Sequence, residues 1–183
     1  MPFVVVYDAN VLYPSTLRDL LIRVAIAGLV QAKWTEQILD ETFGNLAVNR
    51  PDLDPHRLAR TRELMGKAVR DCLVTGYEPL IEAITLPDPG DRHVLAAAVK
   101  AHAEVVVTFN GKDFPADCLA PWGVETKHPD DFLLDQFHLD AVAVHLAVQA
   151  IASTRRQPPE DIADVLDHLE SNGAVRTAAV LRR

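Results

Sequence analysis

Near its start the chain runs through five consecutive apolar residues, Phe3-Val4-Val5-Val6-Tyr7, all β-branched or aromatic. A run without polar interruption is the pattern of a parallel strand covered on both faces. It stops abruptly at a carboxylate and a carboxamide, Asp8 and Asn10. A second run, Val105-Val106-Val107-Thr108-Phe109, closes at the turn pair Asn110-Gly111 and predicts another strand. A short stretch at Val124-Glu125-Thr126 predicts a last edge strand.

The segments between these runs repeat at helical spacing. Leu17, Leu20, Leu21 and Val24 share one face, with Thr16 as a hydroxyl cap, Asp19 in the first turn and Gly28 near the end. Thr35 opens a second helix that reaches about Asn49, lined by Leu39, Phe43 and Leu46 and stopped by Pro51. Pro55 to Cys72 predicts a third, carrying Leu58, Met65 and Val69. Tyr77 to Leu86 reads as extended, Pro87-Asp88-Pro89-Gly90 as a break, and Arg92 to His102 as a compact Ala/Val/Leu helix. Strands alternating with helices imply an α/β fold over residues 1–129, a three-layer sandwich around a mainly parallel sheet. Residues 130–183 contain no strand-like run. Phe137, Ala141, Val144, Val148 and Ile151 repeat at helical spacing, and so do Ile162, Val165, Leu166 and Leu169. Breaks at Arg155-Arg156-Gln157-Pro158-Pro159 and Asn172-Gly173 divide this part into an all-helical C-terminal appendage of two or three helices.

Composition narrows the class. The chain has 183 residues, 49 % hydrophobic and 24 % charged, which suits a globular protein with a real core. A net charge of −8 argues against broad polyanion binding through charge alone. Between Arg50 and Arg70 the sign reverses: six basic residues (Arg50, Arg57, Arg60, Arg62, Lys67, Arg70) face three acids. A solvated helix face and phosphate contacts are both open readings of that run. Cys72 and Cys118 form no C-x-x-C pair, which fits a reducing cytoplasm. Neither a signal peptide nor a membrane span is expected, because Asp8 interrupts the first apolar run and Leu20 to Val30 is short and contains Arg23.

The acids carry the candidate chemistry. Ligands in open α/β sheets bind beyond the carboxyl ends of the strands. Asp8 and Asp113 both follow strand ends. Asp91 sits at the start of a helix beside the sheet, in a segment where Asp88 suits an N-cap and Asp91 completes a capping-box pattern. Glu41 lies at the border of a buried helical stripe. Each alone has a structural explanation, as a cap or as an exposed helix acid. If the sheet is parallel, however, all four can converge on one rim. Ionised carboxylates crowd together only with a counterion, and a hard divalent cation with oxygen ligands meets that need.

Three blocks in this order, Val4 to Leu12, Asp88 to Ala98 and Thr108 to Phe114, resemble the signature blocks of PIN-domain ribonucleases, most of all the VapC-type toxins of prokaryotic toxin–antitoxin pairs. The likeness covers roughly Met1 to Pro129. It implies a PIN-like fold, with Asp8, Glu41, Asp91 and Asp113 as the family's acidic quartet, and Asp8 and Asp91 as direct ligands of Mg²⁺, with Mn²⁺ as the alternative ion. Asn110 stands where many relatives carry a further acid, and Thr108 matches a supporting hydroxyl beside Asn10. The implied activity is hydrolysis of RNA phosphodiester bonds. Arg50, Arg57, Arg60 and Lys112 are then candidates for RNA contacts. The implied partner is a small antitoxin that covers the acidic rim, and a homodimer is allowed.

Two other readings compete. A haloacid-dehalogenase-like phosphatase also places an Asp after its first strand but wants a second Asp two residues on, where this chain has Asn10. A non-catalytic PIN-like module would bind RNA or protein without cutting. Nucleotide binding is disfavoured, since no G-x-G pair or G-K-[ST] loop is present. There is no G-x-S-x-G elbow either. The seven histidines show no paired zinc spacing and read as ordinary surface or core residues.

Overall fold

The computed structural model describes residues 2–183. The N-terminal part contains β1 (Phe3–Tyr7), α1 (Ala9–Leu12), α2 (Ser15–Ile26), β2 (Val30–Lys33), α3 (Glu36–Asn49) and α4 (Pro55–Ala68). Two 3-10 turns, Glu78–Ala83 and Pro89–Asp91, lead to α5 (Arg92–Lys100) and β3 (Val105–Val107). Another 3-10 turn, Gly111–Asp113, precedes α6 (Ala116–Leu119) and β4 (Glu125–Lys127). Four helices follow: α7 (Pro129–Leu139), α8 (Ala141–Thr154), α9 (Ile162–Ser171) and α10 (Val175–Leu181).

The four strands form one sheet in the order β2-β1-β3-β4, and every pairing is parallel. Val5, Val6 and Tyr7 in β1 are all buried. Neighbouring strand residues point to opposite faces, so helices cover the sheet on both sides. This is the expected α/β/α architecture with a helical C-terminal region. Tyr7 sits at its centre, stacked on Trp34 and edge-on to Phe132, with its hydroxyl donating to the Leu21 carbonyl at 2.9 Å. Burial pushes the Tyr7 phenol far above its usual range. In register, Tyr7 pairs with Val107, so the residues that follow both strands emerge side by side at one rim.

Several local expectations are corrected. β2 was not expected: only Val30 and Ala32 face the core, too short an alternation to stand out. Beyond it Trp34 bridges to the segment after α4, donating to the Cys72 carbonyl and accepting from the Val74 amide, each at 2.8 Å. That pairing draws the chain out of the helix, so α4 ends at Ala68 rather than Cys72, and Val69 is extended. The stretch read as extended, Tyr77 to Leu86, holds a 3-10 turn with Pro79 in its first positions. β3 stops at Val107, which leaves Thr108 and Phe109 to turn into the rim. The edge strand is Glu125–Lys127, one residue later than expected.

The C-terminal region has four helices rather than two or three. The stripe from Phe137 to Ile151 is two helices bent by 118°, because Asp140 caps α8 by accepting from the Ala143 amide at 2.9 Å. No single helix among the described residues is long and apolar enough to cross a membrane. Thr16 is buried and does not cap α2; that helix start is capped from 155 residues away by the Asn172 side chain, which accepts from the Leu17 amide at 3.3 Å. The start of α10 is likewise capped from another element. Buried Asp130 on α7 accepts from the amides of Arg176 and Thr177 at 3.0 and 2.8 Å. Through α2, the C-terminal helices thus belong to the same packed core as the sheet.

Candidate active site

The rim is built outward from Asp8. This carboxylate caps α1, its Oδ1 accepting from the Ala9 amide at 2.8 Å. Its Oδ2 accepts from the Thr108 hydroxyl at 2.8 Å and from Asn10 Nδ2 at 3.3 Å. Thr108 has one O–H, donated to Asp8, and its oxygen receives Asn10 Nδ2 at 3.0 Å and the Asn110 amide at 3.1 Å. Asn10 Oδ1 in turn accepts from the Phe109 amide at 3.2 Å. Asn10, where a phosphatase of the competing type needs its second acid, is therefore a brace between the ends of β1 and β3. Asn110 contributes its backbone here, while its residue as a whole is exposed.

Asp91 ends the 3-10 turn before α5, and its side chain makes no capping hydrogen bond. The expected capping box does not form. Asp88 alone caps, accepting from the Gly90 amide at 2.7 Å, which leaves the half-buried Asp91 carboxylate without that duty. Asp113 ends the turn after β3 and is half-buried, its amide tied to the Asn110 carbonyl at 2.9 Å. Glu41 reaches in from α3, with its Oε1 2.7 Å from Nε2 of His93 on α5. That contact misses the angle of a true hydrogen bond, and neither ring nitrogen has another protein partner among the described residues.

The electrostatics tie these groups together. Burial pushes Asp91 up, the charges of Asp8, Asp88 and Asp113 push it further, and His93 offsets them only in part, so its carboxyl titrates at about 6. Asp8 is also raised. Its burial outweighs the hydrogen bonds from Thr108 and Ala9 that favour its charged form; Glu41 adds to the rise and His93 opposes it. Asp8, Asp88 and Asp113 thus lie within electrostatic reach of Asp91, and Glu41 and His93 within reach of Asp8.

Among the described residues no three His, Cys, Asp or Glu groups stand at metal-coordinating spacing. The donor set nonetheless fits a hard divalent cation. It is carboxylate oxygen, and the leading charges on Asp91 are three more carboxylates. Mg²⁺ characteristically keeps several waters and uses only one or two protein carboxylates. Asp8 Oδ1 receives a single hydrogen bond, so a lone pair remains for such an ion.

The candidate RNA contacts separate into two kinds. Arg50 is paired with Asp52 at 2.7 Å and Arg60 with Glu63 at 3.3 Å, so both are neutralised on their own segment. Arg57 and Lys112 are exposed and form no ion pair among the described residues. A groove of about 950 Å³ runs past Tyr13, Arg18, Arg50 and Arg57 to Asn172. Arg18 in its wall donates to the main-chain carbonyls of Leu12 and Tyr13, at 2.9 and 3.2 Å. Burial lowers its pKa. Two contributors escaped the sequence reading. His93 could have been suspected as a lone imidazole opening the apolar run Val94 to Val99, two residues after Asp91. The role of Asn172 had no local signal.

Comparison with known proteins bears on the family of the chain. A family model described as PIN domain matches residues 4–112, and one described as VapC50 C-terminal domain matches residues 129–183. Over 94 residues the chain is 45 % identical to "Putative ribonuclease VapC50" of Mycobacterium tuberculosis (strain ATCC 25618 / H37Rv). The alignment takes in 51 % of this chain and 55 % of that protein, about half of each. No solved structure matches.

Proposed function

The chain belongs to the PIN-domain family, and on that premise we propose that it is a metal-dependent endoribonuclease acting as the toxin of a type II toxin–antitoxin pair. The observation that carries this reading is the placement of Asp8 and Asp113 beyond the carboxyl ends of the neighbouring parallel strands β1 and β3, where both charges act on Asp91. The name of the VapC50 relative supports the nuclease class.

On this reading Asp8 and Asp91 would hold Mg²⁺ or Mn²⁺, with Glu41 and Asp113 completing the acidic rim. The bound ion supplies activation of water and neutralisation of charge at the scissile phosphate. The chain's own residues do the rest. Thr108 and Asn10 fix the Asp8 rotamer through Oδ2, and Oδ1 keeps a lone pair beyond its bond from the Ala9 amide. Asp91, titrating at about 6, is ionised at neutral pH and ready to bind a cation. Arg57 and Lys112 lie free to hold RNA phosphates, which position a strand without reading its bases. We further propose residues 1–129 as the nuclease unit, and a small antitoxin presenting a cation as the partner that neutralises the rim.

The test is cleavage of a mixed RNA pool by the purified protein with Mg²⁺ or Mn²⁺, and in chelator. Asp8→Asn and Asp91→Asn are expected to abolish metal-dependent cleavage while the circular dichroism spectrum stays unchanged. Cleavage by both variants at the wild-type rate would overturn the assignment. A non-catalytic binding module is the second reading, favoured by the lack, among the described residues, of a preformed three-group ligand set. It predicts stabilisation by Mn²⁺ without cleavage.

A further inference from the structure

Asp8 is braced by Asn10, and Asn10 is braced by the Phe109 amide. What holds Phe109 comes from the far end of the chain. Gly173, in the turn between α9 and α10, has φ +97°, and a Cβ built on it would lie 2.9 Å from Phe109 Cε1 and 3.4 Å from Cζ. The backbone of the turn therefore sits directly against the Phe109 ring. On another side the same ring meets His128 edge-on, with centroids 5.2 Å apart. The preceding residue, Asn172, caps α2, the helix that begins seven residues after Asp8. One two-residue turn thus touches both flanks of the Asp8 loop.

The turn is itself held in place. Just beyond it, α10 is fixed to α7 by Asp130, whose carboxylate accepts from the Thr177 amide and hydroxyl at 2.8 and 2.7 Å. α7 follows β4 after a single residue, and β4 pairs with β3. A closed path therefore runs from the sheet through α7 and α10 to the turn, then through Phe109 and Asn10 to Asp8.

We propose that the Asn172–Gly173 turn of the C-terminal helices is a positioning element of the acidic site, holding Phe109 so that Asn10 can orient the Asp8 carboxylate. This rests on the reading of Asp8 as a ligand of the catalytic ion. A glycine is required at position 173 for two reasons: its backbone conformation is one that other residues rarely adopt, and a methyl group there would displace the ring. Displacing the ring moves the Phe109 amide away from Asn10 Oδ1, and Asp8 loses its brace.

The test uses the full chain. Mn²⁺ affinity is measured by calorimetry, the Asn10 side-chain amide by NMR in the metal-free protein, and kcat and KM on an RNA substrate. Gly173→Ala is expected to shift the Asn10 amide resonances, weaken Mn²⁺ binding about tenfold and lower kcat similarly, with KM for RNA unchanged. Adding Phe109→Leu, which removes Cε1 and Cζ, restores most of the Mn²⁺ affinity. Arg182→Ala, which breaks exposed ion pairs to Asp167 and Glu170 on the same appendage, changes none of these. Unshifted Asn10 resonances with wild-type Mn²⁺ affinity in Gly173→Ala would overturn the proposal, as would an equal effect from Arg182→Ala. Should Gly173→Ala fail to fold, Phe109→Ala decides instead: an unchanged Mn²⁺ affinity refutes the positioning role. Asp8→Asn separates the two levels. If it retains Mn²⁺ binding, the catalytic reading itself fails; if it loses binding while Gly173→Ala keeps it, only the positioning role fails.

Discussion

Nε2 of His93, buried on α5, lies 2.7 Å from Oε1 of Glu41 on α3. This imidazole is the group whose charge opposes the rise of both Asp8 and Asp91. It couples the two helices that flank the rim and moderates the accumulation of negative charge there. His93→Phe keeps a ring in the buried space and removes that moderation. The acid limb of the pH–rate profile is expected to move to higher pH, and metal-supported cleavage to fall about 10- to 100-fold. A profile superimposable on the wild type would refute this role.

Asp91 gives a stability prediction whose sign depends on metal. Its carboxyl titrates at about 6 in the folded protein against an ordinary 3.8. The folded state therefore holds this proton more tightly than the unfolded state, and stability falls as pH rises from about 4 to about 6. Above that window the ionised group is a standing liability in the metal-free protein. Asp91→Asn is expected to melt a few degrees higher than wild type at pH 7.5 in chelator, with the difference vanishing near pH 4. Added Mn²⁺ should reverse the order, since only the wild type gains from binding. Differential scanning fluorimetry across pH, with and without Mn²⁺, measures both arms.

Asp130 provides a separate test of the docking of α10. Burial alone would raise its pKa, but hydrogen bonds from Thr177 and Arg176 outweigh burial and hold it below its usual 3.8. Stability from this group is full above about pH 4 and is lost as pH falls through the lower folded value. Asp130→Ala strands the Arg176 and Thr177 amides at a helix start, with an expected loss of about 2–3 kcal/mol in urea unfolding at pH 7. The difference from wild type should shrink on acidification.

Arg57 and Lys112 form no ion pair among the described residues, whereas Arg60 is paired with Glu63. In an Asp8→Asn background that leaves RNA intact, Arg57→Ala and Lys112→Ala should each weaken binding across all sequences. Each should also flatten the slope of log affinity against log salt by about 0.7. Arg60→Ala is the control and should change little. Fluorescence anisotropy at several salt concentrations distinguishes these outcomes, and equal effects from all three would argue for a diffuse field instead of discrete contacts.

Local pattern was enough for much of the architecture. A short apolar run that is β-branched or aromatic throughout reads as a strand covered on both faces, so β1 was legible, and so was its acidic end. The cap at Thr35, accepting from the Ile38 amide at 3.0 Å, is a local signal that marked the start of α3. β2 was not legible, because an edge strand with two buried residues carries little periodicity. The helix break at Asp140 was hidden because apolar spacing continues across the bend.

The sequence by itself determined which acids stand at strand ends and helix starts, since backbone propensity and apolar spacing act over a few residues. Tertiary structure alone decided how they are served. The parallel register sets Thr108 beside Asp8, Asp88 takes the capping role and leaves Asp91 without it, and His93 is buried against Glu41. Asn172 closes α2 from across 155 positions. Such contacts join residues whose separation along the chain says nothing about their distance in space, and they exist only once the helices have packed.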